Sequence, residues 1–376
     1  MSSGIRLRQA QSSLRLAIPR RPWFVGRCAL LLAGFVPAAT NDARADPPLT
    51  ATIETSLSTA SDQVRQLAFD GDQDSYFASG ANAGPADHFT LAFDQPAAVQ
   101  SIRVVTGRSN GGDALESGAL QVSDDGKTFT DLAKFSSGAA SAELQGARVR
   151  AVRLVPTQEL KHSLAIREIE IQSQPVVSVF KYPVEFIVDA SDAPEMKPWA
   201  EEAARICERA YPMINEELKS DGFRPPRLVR MSLKNDYRGV AAASGDRIVG
   251  SVRFFKEHPD DFGAMVHETV HVVQHYRGGK NPGWLVEGVA DYVRFFKYEP
   301  GKIGRIDPNR ARYDGSYRVT AAFLAYLVGK YDKEIVLKLN QRMRDGQYDE
   351  KTFQELTGKP IQELGEEWRA LIGGGT

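Results

Sequence analysis

The stretch His267-Glu268-Thr269-Val270-His271 constrains this chain more than any other. It reads H-E-x-x-H, and its neighbours make it helical. Pro259-Asp260-Asp261 gives a helix start with acidic side chains at the positive end. Phe262, Met265, Val266, Val270 and Val273 recur at helical spacing as an apolar stripe. Gly278-Gly279 is the expected stop. Residues four apart on a helix share a face, with Cβ atoms roughly 5–6 Å apart. His267 and His271 lie along one edge of the stripe, where a pair of imidazoles can hold one zinc ion while the helix stays packed. Glu268, next to the first imidazole, is then the candidate base for a zinc-activated water.

A second helix is expected over residues 281–294, with Asn281 as N-cap and Pro282 in its first turn. Glu287 and Asp291 are four apart on it and share a face. A catalytic zinc bound by two His and one Glu keeps its fourth position for water, so Glu287 is the expected third ligand. Asp291, one turn on, is expected to accept a hydrogen bond from the free ring N–H of a liganding histidine, which fixes tautomer and ring orientation. The alternative is that Glu287 and Asp291 form a solvated acidic edge. The three-histidine pattern H-E-x-x-H-x-x-G-x-x-H is not met, because Gln274 and Arg277 occupy the Gly and last His positions. His275 is therefore expected to be structural.

Lys plus Arg number 47 and Asp plus Glu 48, so no charge excess speaks for a nucleic-acid partner. The only basic cluster is N-terminal. Arg6, Arg8, Arg15, Arg20 and Arg21 precede a mostly apolar run from Trp23 to Ala39, and Ala43-Arg44-Ala45 has the form of a cleavage site. Residues 1–45 are therefore expected to be an export signal, removed from a periplasmic or secreted protein with no integral membrane segment. An uncleaved anchor is the rival, and Arg20-Arg21 leaves open a twin-arginine route. Cys28 falls in that signal and Cys207 is the other cysteine, so a mature chain has no internal disulfide.

Residues 49–172 read as all-β. Short alternating runs such as Phe89-Thr90-Leu91-Ala92-Phe93, Ile102-Arg103-Val104-Val105 and residues 149–155 are separated by Gly, Asn, Asp and Pro. Ser123-Asp124-Asp125-Gly126-Lys127 reads as a hairpin turn. A β-sandwich is the expected fold. The segments Phe69-Asp70-Gly71-Asp72-Gln73-Asp74-Ser75-Tyr76, Leu120-Gln121-Val122-Ser123-Asp124-Asp125-Gly126 and Ile166-Arg167-Glu168-Ile169-Glu170-Ile171 resemble discoidin domains of the coagulation-factor type. That resemblance implies a galactose-binding-like sandwich, glycan or cell-surface binding through loops at one end, and a structural calcium. Asp70, Asp72, Ser75 and Glu168 are the oxygen donors expected for calcium. The alternative is a turn whose Asp side chains serve the backbone alone.

Residues 173–178 read as a linker. Behind it, strands are expected near residues 184–188, 228–233 and 248–255, and an amphipathic helix over residues 199–218. The 248–255 strand is expected at the cleft edge, where an extended substrate pairs. Beyond Arg310 only helices are expected. The motif helix, Trp284-Leu285-Val286-Glu287-Gly288-Val289-Ala290-Asp291, the block Tyr313-Asp314-Gly315-Ser316-Tyr317-Arg318, and Lys338-Leu339-Asn340-Gln341-Arg342 occur in the order of the plant basic secretory protein family, the peptidases of plants and bacteria. Residues 179–373 resemble that family, which implies an α+β, zincin-like metallopeptidase with a helical C-terminal part and a glutamate ligand, acting on peptide or protein substrates. Tyr317, at a helix start within a family block, is the candidate donor to the oxyanion, with Tyr313 as competitor. Two rival functions stay open: a non-catalytic surface-binding protein with a vestigial zinc site, and a zinc hydrolase of non-peptide amides. The polar linker suggests a peptidase that folds without the sandwich.

Overall fold

Strands β1 (Ala51–Thr55), β2 (Phe77–Asn82), β3 (Phe89–Thr106), β4 (Gly118–Ser123), β5 (Thr130–Lys134), β6 (Ala139–Pro156) and β7 (Ser163–Gln174) form one seven-stranded antiparallel sheet that doubles over on itself. The computed structural model describes residues 47–276, 280–315 and 317–374. The export signal, Cys28 and the Gly278-Gly279 stop lie outside them.

Two strands of 18 residues make the folding-over possible. The register of β3 against β6 shifts between Ala92 and Ala97 and again between Val99 and Ser101. Such irregularities bend and twist a strand. The first half of β3 pairs with β1, and the second half pairs with β7. Phe77, Phe89, Leu91, Ile102, Leu120, Leu154 and Ile166 fill the space between the layers, each essentially inaccessible. The runs that read as separate strands at residues 89–93 and 102–105 are thus halves of one bent strand. The β4–β5 turn is made by Asp125, whose Oδ1 accepts from the amides of Lys127 and Thr128, each at 2.7 Å, and by Gly126 at φ 81°.

Residues 173–178 are not a free tether, which corrects the linker reading. Val177 is buried in the sandwich core and bridges to Leu49, and Phe180 packs edge-on against Phe69. Apolar Val177 and Phe180 gain more by covering the open end of the sandwich than by spanning solvent.

The second region builds a four-stranded sheet from β8 (Glu185–Asp189), β9 (Leu228–Lys234), β10 (Ala241–Ser244) and β11 (Arg247–Ser251), in the order β10-β11-β9-β8. β8 and β9, and β9 and β11, run parallel, while β10 is antiparallel at the end of the sheet. The 248–255 strand is corrected here. It ends at Ser251, whose hydroxyl caps α2 (Val252–Glu257) by accepting from the Phe254 amide, and β11 is flanked on both sides. The strand at the cleft is therefore β10.

Helix α1 (Lys197–Glu217) covers the sheet with Ala203, Ala204, Cys207, Tyr211 and Ile214. Against it lies α3 (Phe262–Gln274), capped by Asp261, whose Oδ1 accepts from Ala264 N at 3.1 Å. α3 ends one residue before His275, which takes the left-handed conformation at φ 44°. α4 (Gly283–Tyr292) follows, with Pro282 rather than Asn281 at its N-cap. A π-helical turn, Val293–Tyr298, continues it, and α5 (Tyr317–Lys330), α6 (Ile335–Arg344), α7 (Thr352–Thr357) and α8 (Ile361–Gly373) complete the chain. No helix among the described residues is long and apolar enough to cross a membrane.

The sandwich and the second region pack together within one compact unit. Arg65 donates to both carboxylate oxygens of Glu208 on α1, at 2.7 and 3.0 Å. Glu208 also takes Arg205 at 2.8 Å and the Phe186 amide at 2.9 Å. Thr59 donates to Glu185 Oε2 at 2.6 Å. A sandwich that serves only as a detachable appendage would not bury such a pair.

Candidate metal centre and cleft

Three atoms converge between α3 and α4. His267 Nε2 and His271 Nε2 lie 3.1 Å apart, and Glu287 Oε2 lies 3.2 and 3.1 Å from them. Among the described residues these three form a group able to hold a metal ion. The reason for the convergence is helical. The histidines are one turn apart on α3, and α4 crosses at Glu287.

The outer nitrogens decide what the inner ones present. His267 Nδ1 lies 2.7 Å from Asp291 Oδ1, and His271 Nδ1 lies 2.7 Å from Gln274 Oε1. Both partners accept, so both Nδ1 atoms carry the proton and both Nε2 atoms present lone pairs. Two lone pairs and a carboxylate oxygen then face one point, an arrangement that calls for a cation. Ligand atoms at about 2.0–2.1 Å on a tetrahedral ion would stand about 3.3 Å from one another. The observed edges fit that geometry.

Electrostatics says the same. Burial pulls His267 down, but its hydrogen bonds to Asp291 and Glu287 outweigh this and push it up to about 9. Burial pushes Glu287 up, yet its bonds to His267 and His271 win and hold it at about 2. Glu268 is outside the ligand group, is 8% exposed, and lines the same cleft. Burial raises its carboxyl above the ordinary range, with the nearby imidazoles opposing.

The cleft encloses about 720 Å³. One wall is β10 and its approach, Val240 to Ala243, and another is the start of α5. Tyr317 stands there, 55% exposed, its ring centroid 6.3 Å from that of His267. The charge of Glu287, more than burial, raises its phenol. Tyr313 does not line the cleft; it packs against Trp284 and Phe323, with ring centroids at 5.5 and 5.8 Å. α5 approaches because residue 288 is glycine: a Cβ there would meet Thr320 Cγ2 at 2.1 Å. His275 lines the cleft but stands outside the ligand group.

The structure does not gather Asp70, Asp72 and Glu168 into such a group. Asp70 Oδ1 accepts from the Asp72 amide at 3.1 Å and from Ser75 Oγ at 3.0 Å, and Asp72 Oδ1 accepts from the Asp74 amide at 2.9 Å. Glu168 Oε2 accepts from the Gly71 amide at 3.0 Å. Asp70 thus serves both the backbone and the Ser75 hydroxyl. Burial, then the charge of Asp70, pushes Glu168 up to about 7.

Gln274, which sequence reading noted only as a mismatch to another pattern, turns out to hold His271. A polar residue three positions after a liganding histidine on the same helix was the available signal. β10 was missed because Ala241, Ala242 and Ala243 carry no strand signal of their own.

Comparison with known proteins agrees with this layout. Residues 187–368 match the family described as Peptidase of plants and bacteria, and residues 51–169 match the F5/8 type C domain. No curated protein matches the chain. Among solved structures, similar ones include CBM32-1 from a family 31 glycoside hydrolase of Clostridium perfringens, at 20% identity over 32% of this chain and 92% of that one, TM-score 0.28. Another is GH31 CBM32-2 bound to GalNAc, at 18% identity over 33% of this chain and 98% of that one, TM-score 0.29. A third is the C-terminal domain of a chitobiase from Bacteroides fragilis, at 14% identity over 33% and 93%, TM-score 0.29.

Proposed function

From the match of residues 187–368 to the peptidases of plants and bacteria, we propose that this chain is an exported zinc-dependent peptidase carrying a β-sandwich for glycan or surface binding. The observation that carries the reading is the convergence of His267 Nε2, His271 Nε2 and Glu287 Oε2 within 3.2 Å of one another, beside Glu268 in an open cleft. Two imidazoles and one carboxylate are a donor set suited to zinc.

Zinc, when bound, supplies a Lewis acid that polarises the scissile carbonyl and makes water acidic near neutrality. The protein's own groups do the rest. Glu268 takes the proton from the attacking water and returns it to the leaving amine. Tyr317 is the proposed donor of a phenolic hydrogen to the oxyanion, a role supported by its ring standing 6.3 Å from that of His267. Asp291 holds His267 in the tautomer that keeps Nε2 free. The end strand β10 offers backbone groups along the cleft to an extended peptide.

For the sandwich, the glycan- or surface-binding reading rests on the match of residues 51–169 to the F5/8 type C domain. Export rests on the composition of residues 1–45.

Metal analysis with a casein digestion assay tests the reading. About one zinc per chain is expected, with digestion abolished by a chelator and restored by zinc. Glu287→Ala should lose most of the zinc. Zinc with digestion only of non-peptide amides would move the protein to the rival hydrolase class. Neither metal nor digestion would leave a surface-binding protein.

A further inference from the structure

Gln274 is 1% exposed, and its amide faces two ligand-bearing elements at once. On one side lies His271 Nδ1 at 2.7 Å; on the other, the Val286 carbonyl, directly before Glu287, at 2.9 Å. A backbone carbonyl only accepts, so Gln274 Nε2 must point at Val286 and Oε1 at His271. That fixes the hydrogen of His271 on Nδ1 and its lone pair on Nε2, where the other two ligand atoms converge.

The backbone around Gln274 is itself held. Arg344, at the end of α6, donates to Val273 O at 2.9 Å, Gln274 O at 3.3 Å and Leu218 O at 2.9 Å. Its guanidinium lies 3.7 Å over the ring of Phe223, and burial depresses it to about 10. A cation at the negative end of α3 is favourable. These bonds tie the end of the motif helix, next to Gln274, to α6 and to the end of α1.

We infer that Gln274 is a positioning residue for the metal centre: its acceptor sets the tautomer of His271, and its donor, bonded to the Val286 carbonyl, fixes which way the amide points. This rests on the zinc reading above. Asp291 performs the corresponding task on His267, while Gln274 holds His271 and also the backbone carbonyl that precedes Glu287.

The two halves of the amide can be separated. Gln274→Glu keeps an acceptor for His271 and loses the donor to Val286. Gln274→Met removes both at similar volume. Zinc affinity is measured by competition with a chromophoric chelator, and melting by circular dichroism on the metal-free proteins. Gln274→Met should bind zinc about 10–100-fold more weakly, as loss of a hydrogen bond to a liganding histidine does. Gln274→Glu should stay within a few-fold of the parent, while both variants melt below it. Equal affinity loss in the two variants, or parental affinity in Gln274→Met, overturns the inference and leaves the zinc reading standing. A parent that binds no zinc overturns the zinc reading and this with it. Should Gln274→Met fail to fold, imidazole ¹⁵N shifts decide on the metal-free parent and Gln274→Glu: His271 protonated on Nδ1 in both supports the inference, and on Nε2 in either overturns it.

Discussion

Asp291 Oδ1 lies 2.7 Å from His267 Nδ1, at a position 5% exposed to solvent. A buried carboxylate there both fixes the ring and raises the basicity of the nitrogen that faces Glu287. Asp291→Asn keeps the shape and removes the charge. Zinc affinity should fall by about 10–100-fold, as measured by chelator competition. An unchanged affinity would return Asp291 to a passive role.

Glu268→Gln should retain zinc and lose activity, because the amide cannot take a proton. General acid–base catalysis contributes roughly 10²–10⁴-fold. The check is a peptide assay paired with metal analysis. A variant within a few-fold of the parent would require another base.

Tyr317→Phe should lower kcat by about 10²–10³-fold if the phenol donates to the oxyanion. Zinc content and melting temperature should not change, since the ring is more than half exposed and its removal of one hydroxyl leaves packing intact. Tyr313→Phe is the control. Its ring packs against Trp284 and Phe323, and parental kcat is expected.

The pH dependence of stability should carry the signature of Glu168. Its folded value of about 7 stands above the ordinary 4.5. The folded state therefore binds the proton more tightly than the unfolded one. The stabilisation is fully present below pH 4.5 and is lost as pH rises through 7, amounting to about 3 kcal/mol at most. Glu168→Gln should flatten this slope in urea melts between pH 5 and 8. Calcium, if it binds here, should raise the melting temperature more at pH 8 than at pH 5, and no shift at millimolar calcium would leave the turn reading.

Arg65→Ala tests the joint between sandwich and cleft region. It removes two charge-assisted bonds to Glu208, whose side chain is 8% exposed. Arg205 remains as a partner, so the cost should be about 1.5–3 kcal/mol, read from chemical denaturation. For the same reason, deletion of the residues up to Gln174 should give a less stable protein. A deletion protein with parental melting temperature would show the joint to be dispensable.

Much of this molecule is legible in its sequence because it depends on spacing along one element. The fold of α3, the shared face of His267 and His271, and the shared face of Glu287 and Asp291 follow from a 3.6-residue period that local backbone geometry enforces. The sandwich is legible because alternation and turn residues are local too. What only tertiary structure decides is which distant groups meet. That β3 is one bent strand, that Ala241–Ser244 rather than the 248–255 run borders the cleft, that Val177 and Phe180 close the sandwich, and that Arg65 reaches Glu208 depend on packing across sequence separations no period encodes. The same holds for Tyr317 against Tyr313. Both belong to one short segment, and the absent Cβ of Gly288 lets α5 approach α4 closely enough to put the first at the cleft and leave the second half-buried against the core.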